Sequence, residues 1–187
     1  MQYRKQAVAQ QILDSAMVEF DEKGYTDASI RAIAERAETS VGNVYRYFRN
    51  KDDLFVSCLM PVLDECIDWT AKVFDVSSRD AICLTAARIS DYVAGHSREF
   101  RIISQGPAVH YAAFLSRYSA CIVRQLRYMA GQDAKISNPY FLDTLAGAFI
   151  GGMRQIMEAD GGIQLRDTYL LEFMMFLFGD FKERLNQ

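Results

Sequence analysis

Apolar residues along this chain recur at three- and four-residue intervals, and no run alternates as a strand would. Ile12, Leu13, Ala16 and Phe20 form one stripe and predict a first helix over about 6–23, closed by Gly24. Ser29, or Asp27, can cap a short second helix whose apolar face is Ile30, Ile33, Ala34 and Ala37. Glu38-Thr39-Ser40 interrupts the pattern, and Thr39 or Ser40 can cap a third helix over about 41–48. Asn50 and Asp53 have capping-box-like spacing ahead of a long helix over about 51–74 with Leu54, Phe55, Leu59, Leu63, Ile67 and Phe74. Pro61 lies in its middle and should kink it, as a hinge or as a packing bend.

Five more helices follow. Ser77 and Asp80 repeat the cap spacing before a helix that ends near Gly95-His96. A short helix covers about 97–105, and Gly106-Pro107 starts another that reaches about Met129. The stretch 131–138 reads as a loop. Asn138-Pro139 opens an eighth helix to about 160, and a ninth covers about 165–185. The expected fold class is therefore all-α, with nine helices. A soft boundary separates a head, 1–50, from a body, 51–187.

The third helix is too polar for a core. Val44 and Phe48, one turn apart, anchor it, which leaves Asn43, Tyr45, Arg46 and Tyr47 facing outward. Amide, phenol and cation groups on a short, anchored helix suit a DNA major groove. The order Ile33-Ala34, Ala37, Ser40, Gly42, Val44-Tyr45, Tyr47-Phe48, Lys51 and Leu54 resembles the N-terminal DNA-binding domain of the TetR-type transcriptional repressors. Ile12 to Tyr25 is similar to that family's first helix and its Gly-Tyr turn. The family usually has Gly where this chain has Glu38. The resemblance covers residues 1–55 and implies a helix-turn-helix head on a helical ligand-binding and dimerisation body.

Candidate DNA contacts are Ser29, Thr39, Ser40, Val41, Gly42, Asn43, Tyr45, Tyr47 and Lys51. Thr39 and Ser40 sit at a helix N-terminus, where hydroxyls and N–H groups bind phosphate. Gly42 lets the helix lie close to DNA or to its neighbour helix. Asn43 can bond two adjacent base-edge atoms, with adenine its usual partner. Val41 either meets a thymine methyl or packs beside Val44. Tyr45 and Tyr47 either reach phosphate or are half-buried structural tyrosines. The resemblance implies phosphate contacts at Tyr45, Tyr47 and Lys51.

The last two helices predict a partner subunit. Thr144, Gly147, Ala148, Gly151 and Gly152 make a small-residue stripe that admits a close helix neighbour. From Leu170 to Phe178 the final helix is apolar nearly all round, and such a helix must be covered on every side. The expected homodimer interface includes Gly147, Ala148, Gly151, Phe173, Phe176 and Leu177. A twofold dimer would present two recognition helices about 34 Å apart and read a near-palindromic double-stranded DNA operator.

Trp69, Tyr92, His96, Phe100, His110, Tyr111, Phe114 and Tyr118 supply aromatic walls with polar tips, as small-molecule sites do. The same residues at helical spacing also make ordinary core. The resemblance implies an inducer cavity here, filled by an unknown small molecule. The expected function is a ligand-responsive transcriptional regulator, a repressor by resemblance, released from DNA by its inducer.

Charge changes this picture little. The 187 residues carry a net charge of −3, and residues 1–51 hold 8 Lys and Arg against 7 Asp and Glu. DNA affinity would come from placed contacts and dimerisation rather than a broad positive field. Cys58, Cys66, Cys83 and Cys121 form no CxxC pair and read as core thiols of a reducing cytosol. With His96 and His110 they reach no metal-site spacing, so no metal and no cofactor is expected. The N-terminus has no apolar signal region, and no run of about 18 apolar residues exists, so a cytoplasmic protein without a membrane segment is expected. Two rival classes stay open. One is a helical protein-interaction module that no longer reads DNA. The other is an all-helical enzyme, although no nucleophile motif, phosphate loop or HExxH pattern is present.

Overall fold

The computed structural model describes residues 2–131, 136, 138–158, 162–181 and 183. Among them are nine helices and no strand: α1 Gln2–Asp27, α2 Ile30–Arg36, α3 Val41–Tyr47, α4 Lys51–Val73, α5 Arg79–Gly95, α6 Ser97–Ser104, α7 Ala108–Ala130, α8 Phe141–Glu158 and α9 Gly162–Phe178. The expected loop at 131–138 and the chain ends of α8 and α9 lie partly outside the described residues. No described helix is long and apolar enough to cross a membrane.

Local chemistry sets the helix limits. Gly24 adopts φ +72°, which breaks the helical path within α1 at the expected residue. Ser29, not Asp27, caps α2 by accepting a hydrogen bond from the Ala32 N–H at 3.1 Å. Ser40, not Thr39, caps α3 by accepting from the Asn43 N–H at 3.1 Å. The Asn50 side chain accepts from the Asp53 N–H at 2.7 Å, while the Asp53 carboxylate accepts from the Arg49 N–H at 2.8 Å. Ser78, one residue beyond the expected Ser77, caps α5. Pro61 lies inside α4, which continues to Val73.

The chain packs as two compact units: Met1–Glu65 with Ser97–Phe114, and Cys66–His96 with Leu115–Gln187. A division at residue 50 does not follow this packing. Ser97–Phe114 joins the head because three links converge there. The Asp21 carboxylate receives Arg98 at 3.1 Å and also pairs with Arg101. His110 Nε2 lies 2.7 Å from Asp52 Oδ1. Gly106 sits so close to the Phe55 ring that a Cβ there would overlap it. In this unit α1 packs on α2 and α6, and α2 packs on α3. Its core holds Ile12, Phe20, Ile33, Leu54, Phe55 and Ile103, with Phe20 and Tyr25 edge-on to Phe55 at 5.1 and 5.0 Å.

In the second unit α9 packs on α5 and α8. Phe74, Phe149 and Phe178 form a mutual edge-to-face cluster with centroids 5.5 to 5.7 Å apart. Gly152 lets the Phe173 ring lie directly against α8, where a Cβ would overlap it. Thr85 is buried and ties down the turn between α4 and α5. Its hydroxyl accepts from the Asp75 N–H at 3.1 Å and donates to the Asp75 carbonyl at 2.8 Å.

Candidate nucleic-acid interface

Two residues hold α3 in place. Val44 is fully buried and Phe48 nearly so, which leaves the rest of this seven-residue helix on the surface. Val41 and Tyr45 are 39% and 52% exposed, so Val41 does not serve as a buried partner of Val44. Gly42 is exposed, and a Cβ built there meets nothing within 4 Å. Among the described residues no neighbour helix therefore requires a glycine at 42.

The Asn43 side chain is oriented from one turn back. Its Nδ2 donates to Thr39 Oγ1 at 2.7 Å. The second amide hydrogen and Oδ1 remain for a base edge, the pair that adenine N7 and N6–H require. Ser29 and Ser40 use hydroxyl lone pairs as caps and keep their O–H hydrogens as donors. Tyr47 is half-buried beneath Arg46, whose guanidinium carbon lies 5.4 Å from the ring centre. Tyr45 is the more accessible of the two phenols.

Lys51 has a different arrangement from the expected phosphate contact. Its Nζ donates to the carbonyls of Tyr25, Thr26 and Ala28 at 2.8, 3.1 and 3.0 Å and lies 4.7 Å from the Tyr25 ring centre. An ammonium has three donors, and these three carbonyls occupy them. They belong to the turn left open where Gly24 breaks α1, so Lys51 ties that turn to the start of α4. Sequence spacing shows nothing of this, because the partners lie 23 to 26 residues away. Asp52 and His110 were also not legible as neighbours. Burial, and then the nearby Asp52 carboxylate, hold the Tyr25 phenol above its ordinary pKa.

Glu38 has φ +48°, the left-handed region. The turn between α2 and α3 thus keeps the geometry a glycine would serve. A side chain there is strained by roughly 1–2 kcal/mol.

The candidate ligand residues divide between the units. Trp69, Tyr92 and His96 form one stack, with centroids 4.4 and 4.2 Å apart, and Tyr118 is buried with its hydroxyl 3.5 Å from Thr70 Oγ1. Phe100, His110, Tyr111 and Phe114 belong to the head unit. There Phe100 lies 6.3 Å from Phe114, and His110 bonds Asp52. Of the candidate interface residues, Gly147, Ala148 and Gly151 are exposed on α8, and Phe176 is 80% exposed on α9. Leu177 is half-buried, and Phe173 is taken up within the chain by Gly152.

Residues 12–58 match the family model described as bacterial regulatory proteins, tetR family. Residues 12–58 are thus similar to the N-terminal segment of that family. Over 48 residues it is 46% identical to the HTH-type transcriptional repressor KstR of Mycolicibacterium smegmatis, which is 26% of this chain and 24% of that protein. The chain thus spans about a quarter of the length of the curated relatives it matches, as coverage of 24% states. Solved structures extend the likeness of fold over nearly the whole chain. The transcriptional regulator FadR from Bacillus subtilis, in complex with stearoyl-CoA, has a TM-score of 0.68 at 17% identity, covering 91% of this chain and 97% of that one. A TetR-like transcriptional regulator from Rhodococcus sp. RHA1 has a TM-score of 0.67 at 19% identity, covering 92% and 96%. At these identities the likeness is one of fold.

Proposed function

We propose that this chain is a ligand-responsive transcriptional regulator, a repressor, that binds a near-palindromic operator as a homodimer and leaves it when a small-molecule inducer binds. The observation that carries the reading is the outer face of α3. Its two anchors are sealed, its N-terminus is capped by Ser40, and the Asn43 amide is held by Thr39 with a donor and an acceptor to offer. Among the described residues nothing meets a Cβ at Gly42, and Tyr45 is 52% exposed. The name of the relative KstR, a repressor, supports the direction of the effect. The stearoyl-CoA in the FadR structure supports a small-molecule inducer for this fold.

A second copy of the chain is the natural cover for α8 and α9. Phe176 stands out from α9, and Gly147, Ala148 and Gly151 leave α8 open to close approach. Two heads on a twofold axis would meet successive major grooves. The site is one of binding, not catalysis, and the place of action is the cytoplasm.

The test is selection of bound fragments from genomic DNA, followed by gel shift on the recovered site at two salt concentrations. A near-palindromic site whose affinity falls steeply with salt is expected. Recovery of no common site would leave the protein-interaction reading in its place.

A further inference from the structure

We infer that the ring stack of Trp69, Tyr92 and His96 is a ligand platform for a flat, uncharged ring system bearing a hydrogen-bond donor. The inference rests on the reading of the chain as a ligand-responsive regulator, and it names the chemical class of the ligand. All three residues belong to one unit. Trp69 comes from α4, Tyr92 from α5, and His96 is the residue that caps α5. The planes are inclined by only 23° and 22°, and each ring is half-buried. Parallel stacks of this kind continue favourably onto a further flat ring.

The platform has a defined polarity. His96 Nδ1 lies 2.9 Å from the Tyr92 carbonyl oxygen, which can only accept. Nδ1 therefore carries the hydrogen, and Nε2 of the neutral ring is left as an acceptor. A ligand O–H or N–H in the plane of His96 would find its partner there.

The surroundings disfavour charge. Among the described residues of this unit no Asp, Glu, Lys or Arg is buried as a whole, and the buried hydroxyls are those of Thr70, Thr85 and Tyr118. Thr70 meets the Tyr118 hydroxyl and the Cys66 thiol. Burial pushes that thiol up to about 12, so it stays neutral. The Arg124 guanidinium beside this cluster already bonds the Cys121 thiol, so a ligand anion would have to compete for it while giving up part of its hydration.

Equilibrium dialysis of the full chain tests this with 1-naphthol, naphthalene, 1-naphthoate and stearoyl-CoA. We expect 1-naphthol to bind about 3- to 10-fold more tightly than naphthalene, the worth of one hydrogen bond. 1-Naphthoate should bind at least about tenfold more weakly than 1-naphthol. His96→Phe keeps a ring in the stack and removes the acceptor, so it should bring the naphthol-to-naphthalene ratio to about one. Tyr92→Leu should weaken both ligands. No binding of 1-naphthol at millimolar concentration would overturn the inference, as would naphthoate or stearoyl-CoA binding more tightly, or a ratio unchanged in His96→Phe. Operator affinity is measured alongside. His96-dependent naphthol binding without operator release supports the platform and removes the regulator reading. Operator release by stearoyl-CoA without naphthol binding overturns the platform and supports the regulator.

Discussion

Thr39 Oγ1 accepts a hydrogen bond from Asn43 Nδ2 at 2.7 Å, four residues apart, and both side chains are half-buried. The bond fixes which way the amide presents its donor and acceptor, so base discrimination should depend on a residue that need not touch a base. Asn43→Ala should relax preference at one operator position by about 1–3 kcal/mol. Thr39→Val should give part of that loss. Binding to a set of single-base operator variants checks both, and equal discrimination by all three proteins would refute the role.

Gly42 occupies a helical position with open space around its α-carbon. Gly42→Ala should therefore stabilise the chain by about 0.5–1 kcal/mol, the helix preference of Ala over Gly. The added methyl should at the same time weaken operator binding. Urea unfolding and fluorescence anisotropy on one preparation measure the two effects. A gain in stability with no loss of binding would move the DNA contact away from this face.

Lys51 ties three carbonyls of the Tyr25–Ala28 turn to the start of α4. Lys51→Met should lower stability by about 2 kcal/mol or more, because charge-assisted bonds are lost and the carbonyls are left half-buried. If the ammonium serves the fold alone, the slope of log affinity against log salt stays as in the parent. If it also neutralises a phosphate, the slope falls by about one.

Phe176 is 80% exposed within the apolar run from Phe173 to Phe178 of α9. Phe176→Glu should convert a dimer to a monomer at micromolar concentration, as seen by sedimentation, while the helical circular dichroism is kept. A parent chain that is already monomeric at that concentration would sink the twofold operator model.

The cysteines should separate by environment. Burial raises the Cys58 and Cys66 thiols from 9.0 to about 12 in the folded chain. Their neutral form is favoured by folding. The stability they contribute is fully present below pH 9 and is lost as pH rises from about 9 towards about 12. Urea midpoints should thus fall above pH 9. Cys83 is exposed and should be alkylated first near neutral pH, with Cys58 and Cys66 protected until unfolding. Rapid labelling of Cys66 in the folded chain would contradict this burial.

Periodicity and capping chemistry were enough to read most of the architecture from the residues in order. The limits of α2, α3 and α4 depend on bonds between groups three or four positions apart, such as Ser29 to Ala32 and Ser40 to Asn43. Interactions that short are written locally, so helix number was legible, as were the exposed Tyr45 and Arg46 of α3, whereas Asn43 and Tyr47, expected outward with them, are half-buried. Ser77 was misplaced by one residue because two adjacent serines offer the same cap and only backbone geometry chooses Ser78.

Long-range partners were not legible. Lys51 reads as a surface cation until three carbonyls of a broken helix end close on it, and His110 reads as a pocket wall until Asp52 meets it. Phe173 reads as an interface residue until Gly152 makes room for its ring. Ser97–Phe114 reads as body until Arg98, Gly106 and His110 bind it to the head unit. The physical reason is common to all four. A periodic pattern reports which face of a helix is apolar, but the identity of the opposing surface depends on packing between segments far apart in the chain, which a one-dimensional pattern does not encode.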